Sequence, residues 1–65
     1  MNDLFRVKEE REKKGMTQEE LAKKAGVSRT IISGLESGTI KVTTTKTLKK
    51  IAEALGKNVS DIFLN

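Results

Sequence analysis

With 65 residues and no cysteine, histidine or proline, the chain has neither a disulfide framework nor a zinc site. It reads as one small domain, residues 1–65, that folds on helix propensity and a modest core without metal or cofactor. Thirteen basic against nine acidic residues give a net charge of +4, and no apolar run exceeds three residues, which excludes a membrane span or secretory core and points to the cytoplasm.

The first helix is expected from Asp3 to Lys14, with Asp3 as its cap and Leu4, Phe5 and Val7 on its buried side. Lys13 and Lys14 suit the negative end of the helix dipole, and Gly15 ends it. A second helix opens at Thr17. Thr17 and Glu20 have the spacing of a capping box, in which each side chain satisfies an orphan backbone N–H of the other. Leu21, Ala22 and Ala25 then fall on one face, and Gly26 stops the helix. Ser28 caps a third helix running to Ser37, with Ile32 and Leu35 on one stripe and Gly38 as its stop. Residues 39–43 form the longest irregular connection. Thr43 or Thr44 caps a fourth helix, whose Leu48, Ile51, Ala52 and Leu55 make the cleanest amphipathic stripe, and Gly56 ends it. Asn58 caps a last turn or two holding Val59, Ile62 and Phe63. The fold class is therefore all-α, a compact arrangement of five short helices.

Helices two and three are joined by only Ala25-Gly26-Val27-Ser28, so they must cross at a large angle. Leu21, Ala22, Val27, Ile32 and Leu35 are expected to fill that angle. Ser28, Arg29, Thr30, Ser33 and Gly34 are left outward on the third helix, a flat polar surface with an arginine near its N-terminus. Such a helix can enter a DNA major groove. The plainer reading of Arg29, Thr30 and Ser33 is a solvated surface, and Gly34 is either a point of close approach or a tolerated gap. Residues 39–65 carry five lysines against Glu53 and Asp61, as a surface facing phosphates would.

The segments REKKGMTQEELAKKAGVS, ISGLESG, TLKKIAEALG and VSDIF, in this order, resemble the Cro/repressor (XRE-type) helix-turn-helix family of phage and bacterial regulators over essentially the whole chain. The resemblance implies a lambda-repressor-like domain with helix-turn-helix at helices two and three. It places Arg29, Thr30 and Gly34 at the main base-reading positions, with Ser28 and Ser33 beside them. Gln18, at the start of helix two, and Lys41 and Thr43, after helix three, match phosphate-contacting positions, and Thr17 beside Gln18 is a further phosphate candidate. Arg11 and Glu36 match an ion pair that ties helix one to the recognition helix. Three departures stand out: Glu10 and Thr45 replace residues that are commonly apolar, which weakens the expected core, and Thr43 replaces a common proline.

The expected function is sequence-specific binding of double-stranded DNA by a transcriptional regulator, with repression as the expected outcome. A few base contacts are marginal for one copy. A homodimer on a palindromic operator is therefore expected, with half-sites about 34–36 Å apart. Its surface is placed at Val59, Ile62, Phe63 and Leu64, with Leu4 and Phe5 as further candidates; the bland alternative is that these residues close the monomer core. The competing function is an antitoxin or protein-interaction module of the same fold, which binds a partner protein and its own promoter. No catalytic constellation is visible, and two phenylalanines at core positions leave no stacking platform for single-stranded RNA.

Overall fold

The computed structural model describes residues 5–63, and the expectations for Asp3, Leu4 and Leu64 lie outside them. Five helices follow in order: α1 (Val7–Lys13), α2 (Gln18–Ala25), α3 (Arg29–Ser37), α4 (Thr45–Leu55) and α5 (Val59–Ile62). The all-α expectation holds, and each middle boundary has a local cause. Thr17 Oγ1 accepts from the Glu20 N–H at 3.0 Å while the Thr17 N–H donates to Glu20 Oε1 at 2.8 Å, closing the capping box. Ser28 Oγ accepts from the Ile31 N–H at 3.3 Å. Of the two threonines offered as the α4 cap, Thr44 takes the role, accepting from the Thr47 N–H at 3.1 Å. Thr17→Ala is expected to lower stability by about 1 kcal/mol. Urea unfolding checks this as a lower midpoint at unchanged slope.

The start of α1 differs from expectation. Phe5 is not helical but pairs with Phe63 in an antiparallel bridge, and the Arg6 N–H donates to the Ile62 carbonyl at 2.7 Å. Those long-range bonds hold Phe5 and Arg6 out of the helix, so α1 begins only at Val7. The rings of Phe5 and Phe63 stack at 5.4 Å between centroids.

The core is drawn from every helix: Val7, Leu21, Ile32, Leu35, Ile51, Leu55 and Ile62 are its fully buried large side chains. α2 packs against α3 and α4, and α1 spans both of those helices. Ile62 is therefore core, which removes it from the expected dimer surface; α5 turns it inward against α4. Of the two departures expected to weaken the core, Glu10 is buried, with its carboxylate 3.5 Å from Lys13 Nζ and 3.7 Å from Lys57 Nζ. Pairing from both sides offsets the penalty of burying a charge. Thr45 is exposed and lines a shallow recess with Phe5, Leu48 and Phe63. No helix among the described residues is long and apolar enough to cross a membrane.

Candidate nucleic-acid interface

The site is built on the link between α2 and α3. Gly26 adopts φ 72° and ψ 34°, left-handed values that cost a side-chain-bearing residue energy, and its N–H caps the Ala22 and Lys23 carbonyls. Val27, half-buried, then packs on the core and Ser28 starts α3 at once. This short link sets α3 across α2 with Ile32 and Leu35 inward and Ser28, Arg29, Thr30 and Ser33 exposed. Arg29 and Lys41 form no ion pair among the described residues. The first turn of α3 carries no acidic residue to oppose an anion near its positive end.

Gly34 departs from the expected outward position. It is buried, because the side chain of Ile40 lies directly over its Cα. Gly34 so covered is withdrawn from the outward surface of α3, and the exposed candidates that remain there are Ser28, Arg29, Thr30 and Ser33.

Behind that face, one carboxylate gathers three elements. Glu36 on α3 accepts from Arg11 Nε at 2.8 Å and from Arg11 Nη2 at 3.0 Å, a bidentate pair. Glu36 Oε1 also accepts from Gln18 Nε2 at 3.1 Å, and Arg11 Nη1 donates to the Met16 carbonyl at 2.7 Å. The expected tie between the first helix and α3 is thus present, and Gln18 extends it to α2. The side chains are only 11% and 4% exposed for Arg11 and Glu36. Hydrogen bonding to Glu36 holds the Arg11 guanidinium above its ordinary value, with the carboxylate's charge adding to it and burial opposing it.

The remaining phosphate candidates sit around this frame. Thr17 is exposed at the α2 N-terminus, Gln18 is half-buried beside it, Lys41 is exposed, and Thr43 is half-buried in the connection after α3. Sequence reasoning missed Ile40, which packs partly buried on the core and covers Gly34. Its only signal was a glycine in a helix interior, where a packing reason is the usual explanation. Of the proposed dimer residues, Val59 and Phe63 are half-buried and Ile62 is inaccessible.

A family model described as helix-turn-helix matches residues 7–62. An uncharacterised HTH-type transcriptional regulator of Archaeoglobus fulgidus is 44% identical over 59 residues, covering 91% of this chain and 83% of the relative. The structure of SinR, a master regulator for biofilm formation, in complex with DNA superposes with a TM-score of 0.80 at 33% identity, covering 83% of this chain and 86% of that one. SinR in complex with the SinI protein gives a TM-score of 0.82 at 32% identity and 86% coverage of this chain, which spans only 54% of that one. SinR comes from Bacillus subtilis. Two capped helices crossed at a left-handed glycine, the shared node behind them and these likenesses agree: the chain belongs to the Cro/repressor (XRE-type) helix-turn-helix family of DNA-binding transcriptional regulators.

Proposed function

We propose that the chain reads a specific sequence in the DNA major groove through Ser28, Arg29, Thr30 and Ser33, and acts as a repressor bound as a homodimer to a palindromic operator. The observation that carries this is the exposed, small, polar face of α3, with Arg29 in its first turn and no acidic neighbour there. Arginine reads guanine bidentately, while short hydroxyls let the helix sit deep in the groove. Thr17, Gln18, Lys41 and Thr43 grip backbone phosphates on either side and fix the register. Gln18 does so while bonded to Glu36, so its clamp is braced against the reading helix. SinR is solved bound to DNA, and the present chain superposes on most of it.

With Ile62 in the core, the dimer surface contracts to Val59 and Phe63, with Leu64 beyond the described residues. Val42, 88% exposed beside the recess lined by Phe5, Leu48 and Phe63, extends it. The same apolar surface supports the second reading, a module that binds a partner protein, and SinR is also solved with the SinI protein.

Selection of bound duplexes from a random pool tests the proposal. Enrichment of a two-fold symmetric site is the expected result; no enrichment sinks sequence-specific binding and leaves the protein-partner reading. Lys41→Ala is expected to weaken selected and random duplexes alike and to reduce the salt slope of binding by about one unit. Titrations at several salt concentrations check it, and an unchanged slope takes Lys41 off the phosphate backbone.

A further inference from the structure

We propose that Gly34 and Ile40 are positioning residues, a seat and its plug, that fix the phosphate-gripping residues Lys41 and Thr43 against the recognition helix. The inference rests on the DNA-binding reading above.

Gly34 lies inside α3, where glycine weakens a helix relative to alanine, and nothing in its backbone conformation requires it. Its use is space. A Cβ placed there would meet Ile40 Cγ1 at 2.5 Å and Ile40 Cβ at 3.2 Å, with Cδ1 also in its way. Ile40 thus fills the volume that any other residue at position 34 would need. A second fastening coincides with the first. The Ile40 N–H donates to the Gly34 carbonyl at 2.9 Å, and the same carbonyl accepts from Ser37 Oγ at 3.4 Å. Ser37 Oγ in turn pairs with Thr39 Oγ1 at 2.9 Å, so the chain leaving α3 is held on both sides of its bend.

Lys41 follows Ile40 directly. Isoleucine is stiff about its first side-chain torsion. The crowded Cγ1 is only two bonds from its Cα, so moving the tip of the side chain does not relieve the contact. A methyl group at position 34 must therefore turn Ile40 out of its seat or push the backbone at 40 and 41 away from α3. Either change moves the phosphate contacts relative to the base-reading face.

The test compares wild type, G34A, K41A and the double variant G34A/I40A on a selected duplex and a random one, between about 50 and 200 mM salt. G34A is expected to bind both duplexes roughly five- to tenfold more weakly, with a salt slope reduced by about one unit, as in K41A. G34A/I40A, which removes the Cγ1 and Cδ1 collisions and leaves only the milder 3.2 Å approach of the two Cβ atoms, is expected to regain most of the wild-type slope. Wild-type affinity and slope in G34A, or no recovery in the double variant, overturns the proposal. If G34A fails to fold, the double variant alone decides by whether its slope is wild type or reduced. Backbone amide shifts of residues 40–43 in the free protein are expected to move in G34A and return in G34A/I40A. They report the fastening without DNA, and unmoved shifts overturn it. Absence of salt-dependent binding by the wild type would instead overturn the DNA reading, and the phosphate role with it.

Discussion

Glu36→Ala is expected to cost the domain about 3 kcal/mol, the loss seen when one partner of a buried ion pair is removed. Arg11 would keep its charge in a nearly dry site with only the Met16 carbonyl as acceptor among the described residues, and Gln18 would lose its partner on α3. A domain of this size is stable by roughly 3–10 kcal/mol, so the variant stands near the edge of folding. The measurement is urea unfolding, where a slope near 1 kcal/mol per molar turns the loss into a midpoint lower by about 3 M. A midpoint within a few tenths of a molar of wild type would show that the node does not bear on the fold. Replacing Arg11 and Glu36 together by methionine removes both charges and is expected to be much less harmful than Glu36→Ala. DNA binding should still fall in that variant, because α3 has lost its polar brace to α1 and α2.

The arginine side of this pair is insensitive to ordinary pH. The folded value of Arg11 lies above its unfolded one, so its contribution is complete below the unfolded value and fades only as pH rises through the folded value, in strong alkali. Between about pH 5 and 9 no stability change is expected from Arg11.

Arg29→Ala is expected to remove about 1–3 kcal/mol of discrimination, roughly five- to 150-fold, from binding to the selected duplex. Random duplex should lose only the weak attraction of one positive charge. The side chain is exposed and outside every ion pair among the described residues, so thermal stability should stay within about 0.5 kcal/mol of wild type. Equal loss on both duplexes would make Arg29 a phosphate contact and hand base reading to Thr30 and Ser33.

The two variants act at different depths of one design. In the proposed reading Arg29 meets the DNA, whereas Glu36 holds α3 to α1 and α2 through Arg11 and Gln18. Loss of Arg29 should change specificity with the fold intact, and loss of Glu36 should change both.

Local chemistry made α2, α3 and α4 legible in the sequence. Thr17 with Glu20, Ser28 and Thr44 satisfy orphan N–H groups within three residues of themselves, and Gly26 and Gly56 end helices through their own backbone freedom. Such signals involve neighbours along the chain and are complete before any packing occurs. The Arg11–Glu36 pair spans 25 residues and was reached through family resemblance, not through spacing. What lay beyond reach was decided by contacts between distant segments. Phe63 and Ile62 hold Phe5 and Arg6 out of α1, Lys57 pairs with Glu10, and burial of Ile62 takes it from the proposed dimer surface. Gly34 shows the division most clearly. Its helix and its place on the turn after Arg29 follow from sequence periodicity, but whether its bare Cα faces DNA or a neighbour depends on where residue 40 returns. Only the tertiary structure decides that, because a vacant volume becomes a contact only when another part of the chain is folded into it.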